Sequence, residues 1–136
     1  MIRELGDGMP DDQAAAALQD ACASAFAVQL QDPARFAAYV VDGPDGGLVA
    51  GGVGVVEKWL PGVGRPHGLV GRIGSMSTDV GHRRQGHAQA VLRALLAWFA
   101  ERGVGHVDLH ASNSGEQLYR AAGFTEPSWP ALRWRP

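Results

Sequence analysis

Residues 78–101 read TDVGHRRQGHAQAVLRALLAWFAE, a basic turn followed by a long apolar-periodic segment. Apolar residues recur in the second part at intervals of three and four, which predicts an amphipathic helix. These residues are Ala88, Val91, Leu92, Leu95, Leu96 and Phe99. The first N–H groups of a helix have no partner inside it, and the helix dipole adds positive potential there. Because Gly86 has no side chain, an anion can approach the backbone closely, so this turn predicts a diphosphate site.

Two common phosphate-binding loops do not fit this turn. A Walker loop needs a lysine followed by serine or threonine after its second glycine, and the dinucleotide fingerprint needs the pattern G-x-G-x-x-G. Neither occurs in residues 78–101. The pattern Arg83-x-x-Gly86-x-Ala88 instead resembles the acetyl-CoA motif of the GCN5-related N-acetyltransferases, the GNAT family. Taken alone, the pattern is also typical of a glycine helix cap beside solvated arginines.

A second block follows in the order that this family shows. Leu109-His110-Ala111-Ser112 precedes Leu118-Tyr119-Arg120-Ala121-Ala122-Gly123-Phe124, which is similar to the family signature Leu-Tyr-x-x-x-Gly-Phe. Two motifs in the expected order are far more specific than either alone. The likeness runs from Leu69 to Phe124, with two departures: Val80 replaces a proline, and His87 takes a position that is usually aliphatic.

Helix and strand signals divide the chain into elements. Ile2 to Leu5 predicts a first strand, and Pro10 with two acidic residues begins a helix over Gln13 to Leu30. The next predicted elements are a short helix from Asp32 through Tyr39, strands over 40–42, 48–59, 69–79 and 104–110, a short helix capped by Asn113, and a broken strand pair over 124–134. Dense glycines in the 48–59 strand predict close backbone packing or a bulge.

This order of elements predicts one three-layer α/β or α+β domain over residues 1–136. The GNAT resemblance implies a mixed, twisted sheet of roughly six to seven strands flanked by about four helices. In that fold the two strands that flank the long helix splay apart, and the arm of the cofactor enters the gap between them.

Composition narrows the classes of function. With 46% hydrophobic and 19% charged residues the chain has a globular balance, and its net charge of −2 predicts no binding to nucleic acid or anionic membranes. The first residues lack an apolar run of signal-peptide length, and no segment approaches the roughly 18 apolar residues of a membrane span. One cysteine, Cys22, excludes an internal disulfide. We expect a cytoplasmic protein in which this thiol is buried on the apolar stripe of its helix.

The resemblance implies acetyl-CoA as a co-substrate that is held mainly by backbone groups. Peptide groups of the Ser75–Thr78 segment are expected to pair with the pantetheine amides, and the N–H of Met76 or a neighbour to polarise the thioester carbonyl. The basic turn is expected to hold the diphosphate. The predicted cofactor-binding residues are Met76, Ser77, Thr78, Arg83, Arg84, Gln85, Gly86, His87, Ala88 and Asn113.

Acetyl transfer to an amine needs an acid for the leaving thiolate and a neutral amine. Tyr119 is the predicted acid, because a phenol with a pKa of about 10 keeps its proton at neutral pH and the family has a tyrosine here. Glu57 is the predicted base, since it shares a strand face with Trp59 and can line an acceptor cleft. The alternatives are a packing role for Tyr119, a solvated carboxylate at Glu57, and loss of the amine proton to water. Asp79, the other acid near the turn, would repel phosphate.

Histidines and tryptophans are two further sets of candidate site residues. His106, Asp108 and His110 share a strand face, but about 13 Å of extended strand separates the two histidines, whereas zinc–nitrogen bonds are about 2.0–2.1 Å. No metal site is therefore expected. Trp59 and Trp129 fit either core packing, which we favour, or contact with an acceptor, and Trp134 is expected in the core.

These features together predict an N-acetyltransferase that moves acetyl from acetyl-CoA to a primary amine of a small molecule or peptide, by direct attack in a ternary complex. No nucleic-acid or membrane partner is expected, and a homodimer is left open. Two rivals remain: a non-catalytic acyl-CoA-binding or regulatory domain with the same turn, and a nucleotide- or phosphate-binding module.

Overall fold

A computed structural model describes residues 12–136 of the chain. Its elements in chain order are α1 (Asp12–Gln29), β1 (Phe36–Asp42), β2 (Leu48–Lys58), β3 (Leu69–Thr78), a 3-10 turn (Val80–His82), α2 (His87–Glu101), β4 (His106–Asp108) and α3 (Glu116–Ala121). The strand predicted over Ile2–Leu5 lies outside the described residues. Within them, every helix falls short of the length and apolar character that crossing a membrane requires.

The strands form one mixed sheet in the order β1-β2-β3-β4. β1 and β2, and β2 and β3, pair antiparallel, whereas β3 and β4 pair parallel across the α2 crossover. The predicted mixed sheet is confirmed. The predicted number of elements is wrong for residues 12–136, which contain four strands and three α-helices. The tail after Phe124 forms no strand, and Pro127 and Pro130 deprive it of two backbone donors.

Two other element predictions are corrected. The segment from Asp32 through Tyr39, predicted as a short helix, is a turn followed by the start of β1. Ala37 and Tyr39 pack against the core on one face of the sheet, whereas Phe36 contacts α1 on the other. Side chains that alternate between two faces are typical of a strand, so the helix predicted from Asp32 does not form. The strand predicted over 104–110 is confined to β4, which pairs with β3 over three residues.

Helix α2 packs across one face of the sheet and forms most of the core. Val91, Leu92, Leu95 and Phe99 are each at most 2% exposed, which confirms the predicted apolar stripe. The strand beneath carries glycine where these side chains come closest: a Cβ on Gly54 would lie 3.0 Å from Leu95 and from Phe99. Close packing, one of the two roles predicted for these glycines, is therefore confirmed.

The opposite face meets α1 through few side chains. Among the described side chains of that helix, from Leu18 to Gln29, only Phe26 is partly buried, and its ring packs edge-on against Phe36 at a centroid distance of 5.5 Å. Cys22 is exposed, so the prediction of a buried thiol is wrong. Because Phe26 is the one described side chain of α1 that is partly buried, Cys22, one helical turn earlier, remains exposed.

The tryptophans also differ from expectation. Trp98 of α2 is in the core, whereas Trp59 is 45% exposed and Trp129 and Trp134 are more than 80% exposed. The predicted core packing of these three is therefore wrong. Trp59 instead lies at the sheet surface, where its indole N–H donates a hydrogen bond to Glu57 and its ring packs beside His106.

Gly71→Ala is expected to destabilise this fold. A Cβ at position 71 would lie 2.7 Å from Phe99 and 3.0 Å from Val107. Overpacking of this kind costs about 1–3 kcal/mol. Gly74→Ala is the matched control on the same strand, since no atom lies within 4 Å of its added Cβ. Urea unfolding should show a lower free energy of unfolding for G71A alone, and equal stability of the two variants would contradict this packing.

Candidate active site

A β-bulge interrupts β3 in its second half. Gly51 pairs with Ser77 and Val53 pairs with Gly74, so two residues of β3, Ser75 and Met76, oppose Gly52 alone. Ser75 has a φ of 53°, a left-handed conformation that is uncommon for a residue other than glycine. A Cβ on Gly52 would collide with the sulfur of Met76, so glycine is required where the methionine crosses the sheet. The bulge removes peptide groups from the ladder and bends the strand.

The neighbouring strand leaves β3 just before this bulge. The last pair between β3 and β4 is Arg72 with Asp108, although β3 continues to Thr78. A cleft of about 1160 Å³ opens where the two chains separate. Its lining comes from residues 73–78 of β3, residues 80–89 of the turn and α2, and residues 109–119 that lead into α3. The splayed strands implied by the resemblance are therefore present on either side of α2.

The basic turn forms one end of the cleft. Gly86 precedes α2 with a φ of 81°, and Arg84 also adopts a positive φ, of 60°. Such left-handed residues let successive N–H groups converge, as in the nests that bind anions. The backbone N–H groups of residues 86–89 find no acceptor within residues 12–136. The predicted glycine-bearing helix start is confirmed, and its amides remain available to a ligand.

Positive charge accompanies these amides. Arg83 and Arg84 line the cleft, and neither has a carboxylate within 4.0 Å in the described part of the chain. The Nε of Arg83 donates to the carbonyl of Thr78 at 3.3 Å, which ties the turn to the end of β3. Asp79 does not line the cleft, and Arg72 of β3 pairs with Glu57.

Tyr119 lies on the far wall of the cleft. Its side chain is 8% exposed and packs edge-on against Phe124 at a centroid distance of 5.9 Å. Burial raises the pKa of the Tyr119 phenol above its usual value because the charged form is poorly solvated there. The residue is thus part of the core and of the cleft at once, so packing, the alternative role, is present, and the role as an acid stays a prediction.

Most predicted cofactor-binding residues meet in this cleft. Those that line it are Met76, Ser77, Thr78, Arg83, Arg84, Gly86, His87 and Ala88. Gln85 does not, although its side-chain oxygen lies 3.1 Å from Nε2 of His87, which does. Asn113 does not line the cleft either, although Ser112 and Ser114 on either side of it do.

The predicted capping role of Asn113 is wrong. Helix α3 begins at Glu116 after Gly115, with no side-chain cap on its first turn. Ser112 takes the local hydrogen bonds instead: its hydroxyl accepts from the N–H of Gly115 at 3.2 Å and its carbonyl from the N–H of Glu116 at 3.0 Å. Glu116 does not reach back, because its carboxylate pairs with Arg120 one turn later.

Glu57 lies outside the cleft. One carboxylate oxygen pairs with Nε of Arg72 at 2.9 Å, and the other accepts from the indole of Trp59 at 3.0 Å. Both oxygens of the Glu57 carboxylate therefore have partners, and the residue lies where β3 and β4 are still paired. The geometry therefore offers no support for Glu57 as the base, or for Trp59 and Trp129 as lining residues of this cleft.

Several lining residues were not predicted from the sequence. They include Gly74, His82, Gln89, His110, Ser112 and Ser114. In the sequence, His110 belongs to the second family block and to a set of histidines too far apart to share a metal ion; within the described range no group of three or more histidine, cysteine or acidic side chains is arranged to hold a metal. His110 lies two residues beyond Asp108, the last residue of β4 that pairs with β3. This position in the strand register, rather than a motif, puts it in the cleft.

Comparison with known proteins agrees with this geometry. The profile of the Acetyltransferase (GNAT) family matches residues 7–124, and the chain therefore belongs to the GNAT family. No curated protein sequence matches the chain. Among solved structures, a GCN5-related N-acetyltransferase from Ralstonia eutropha JMP134 is similar at 28% identity and a TM-score of 0.74, covering 92% of this chain and 81% of that one.

Two more distant structures share the fold. A predicted acetyltransferase from Clostridium acetobutylicum, solved with acetyl-CoA, has a TM-score of 0.77 at 20% identity and covers 93% of this chain and 79% of its own. The glucosamine-6-phosphate N-acetyltransferase from Arabidopsis thaliana has a TM-score of 0.71 at 20% identity, with 82% and 74% covered. The fold is therefore common to proteins of very different sequence.

Gly86→Pro is expected to abolish or strongly weaken CoA binding. Proline fixes φ at about −65° and removes an N–H, whereas Gly86 has a φ of 81° and an unpaired amide. Loss of a single hydrogen bond to a charged group already corresponds to a roughly 10- to 100-fold weaker affinity. Gly81→Ala in the same loop is the control, because its Cβ meets no atom within 4 Å. Calorimetry with CoA should separate the variants; equal affinities would contradict the site.

Proposed function

We propose that this protein transfers acetyl from acetyl-CoA to a primary amine by direct attack in a ternary complex. The observation that carries the proposal is one cleft whose lining includes Arg83, Arg84, the bulged segment of β3 and Tyr119, together with helix amides that have no acceptor within residues 12–136. The related structure that was solved with acetyl-CoA supports the donor. The relative that acts on glucosamine 6-phosphate supports an amine as acceptor.

The proposed pose follows from the length of the exposed strand edge. The diphosphate accepts hydrogen bonds from the amides of residues 86–89, with Arg83 and Arg84 neutralising its charge. The pantetheine arm runs along β3 from Thr78 towards Gly74, a span of about 13 Å for four residues. This run brings the thioester to the bulge, where an amide of Ser75 or Met76 donates to its carbonyl and polarises it.

The chemistry needs one proton donor beside the sulfur. The amine nitrogen attacks the thioester carbon, the tetrahedral intermediate collapses, and the departing thiolate takes the proton of the Tyr119 hydroxyl. Because burial raises the pKa of this phenol, the proton is held through neutral pH and is lost only when the pH rises above that raised value. The local environment of Tyr119 therefore suits an acid.

A two-stage experiment tests this proposal. CoA binding is measured first by calorimetry with ATP as competitor, and thiol release from acetyl-CoA is then followed with a panel of primary amines. We expect CoA to bind more tightly than ATP and at least one amine to accelerate thiol release. Binding without turnover would favour a non-catalytic acyl-CoA-binding domain, and better binding of ATP would favour a nucleotide module.

Tyr119→Phe is expected to leave CoA affinity unchanged and to lower kcat by roughly 100-fold, the lower end of the range for general acids. Phenylalanine keeps the ring that packs against Phe124 and removes only the donor. Tyr39→Phe is the control, because Tyr39 packs against the same core from β1 and does not line the cleft. Steady-state rates of thiol release give the comparison; an unchanged kcat for Y119F removes Tyr119 from the mechanism.

A further inference from the structure

Among the described side chains, those of residues 18–136, no carboxylate lines the cleft. The ammonium group of an aliphatic amine, like that of lysine, has a pKa of about 10.4, so the acceptor arrives charged at neutral pH and must lose a proton before it attacks. Arginine stays protonated and cannot take it. The lining side chains that can accept a proton at neutral pH are histidines, namely His82, His87 and His110.

Two of these histidines lie at the diphosphate end. His82 ends the 3-10 turn and His87 is the first residue of α2, with ring centroids 6.5 Å apart. Nε2 of His87 is also engaged with the side chain of Gln85. Both rings therefore neighbour the amides of residues 86–89, beyond the C-terminal end of β3, whereas in the proposed pose the thioester lies at the bulge, two to three residues back along the strand from Thr78.

His110 lies at the other end. The last pair of the parallel ladder joins Arg72 to Asp108, so continuing the register by two residues brings His110 level with Gly74, directly before the bulge. Leu109 and His110 both line the cleft, but the intervening Leu109 packs against the core, whereas His110 is exposed. The imidazole is thus on the chain that diverges from β3, across the gap from the thioester position.

We propose that His110 is the general base that deprotonates the acceptor amine. The inference rests on the proposed function and supplies the group that Glu57 does not provide. The neutral imidazole takes one proton from R–NH3+, and the amine lone pair then forms the carbon–nitrogen bond. The carbon–sulfur bond breaks, the thiolate takes the Tyr119 proton, and the second nitrogen proton restores the phenol. His110 finally releases its proton to solvent, which balances the overall reaction.

The surrounding charges favour this assignment. On its own strand, His106 lies 3.5 Å from Asp108 and outside the cleft, so that pair is engaged with itself. On β3, Arg72 is held by Glu57. The remaining charged or titratable groups that face the cleft are Arg83, Arg84, His82 and His87 from the turn and α2, and Tyr119 from α3. None of these described groups is a carboxylate, and the two other histidines lie at the diphosphate end.

The test compares His110→Gln with His106→Gln, a histidine of the same strand outside the cleft. kcat/KM for the best amine of the panel is measured from pH 6 to 10 at saturating acetyl-CoA. We expect H110Q to lose roughly 100-fold at pH 7, with the loss shrinking as the pH approaches that at which the amine loses its proton unaided. H106Q should follow the wild-type profile, and both variants should bind CoA with wild-type affinity.

Two more arms separate a base from a structural role. An arylamine, which is already neutral at pH 7, should react with H110Q at nearly the wild-type rate. Added imidazole should restore part of the activity of H110A, since the position opens into the cleft. An H110Q profile equal to wild type, or a loss that is the same at every pH and for every amine, would contradict the assignment of His110 as the base. Neither result would contradict the proposed function. Wild-type protein that binds acetyl-CoA but acetylates no amine overturns the proposed function as well.

Discussion

The parting of β3 from β4 after three residue pairs is the constraint on which the site depends. A strand edge that is not paired leaves N–H and C=O groups that need other partners, because an unsatisfied peptide group is costly when it is buried. Here the open edge coincides with a bulge and a left-handed serine, which withdraw still more of the backbone from the ladder. The exposed backbone faces the cleft, and in the proposed complex it pairs with the amide groups of the pantetheine arm.

Helix α2 connects this edge to the anion site. Its apolar stripe is pressed onto glycines of β2 and β3, which lets the helix axis approach the sheet closely. That packing fixes the position of the first turn of the helix, and the unpaired amides there are held beside the end of β3. The hydrogen bond from Arg83 to Thr78 ties the two together locally. The packing of α2 on the sheet therefore also sets the position of the amides that we propose to bind the diphosphate. A displacement of the helix from the sheet would disrupt both the core and this site.

Sequence reasoning reached the parts of the molecule that local chemistry determines. The α2 stripe and the glycine at its start follow from periodicity and turn residues, and the two motifs led to the family. Tertiary contacts decided the rest. The number of strands depends on which segments find a partner, and the tail after Phe124 finds none. Cys22 and the three exposed tryptophans lie on faces that no described element covers.

The same limit applies to the candidate base. Glu57 and His110 look equivalent in sequence, as polar residues at the ends of apolar strands. Only the register separates them: Glu57 pairs opposite Val70, where the sheet is closed and Arg72 and Trp59 claim its carboxylate. His110 lies beyond the last pair, where the strands have parted. A shift of register is invisible to composition and to motif, and it decides which group faces the substrate.

The central claim is that unpaired backbone amides at the start of α2 and along the open edge of β3 hold coenzyme A. Amide hydrogen exchange with and without saturating CoA tests it most directly. We predict slower exchange in residues 84–89 and in residues 74–78 when CoA is present, with the β1 amides unchanged. Binding of CoA that leaves both segments exchanging at their free rates would contradict the account.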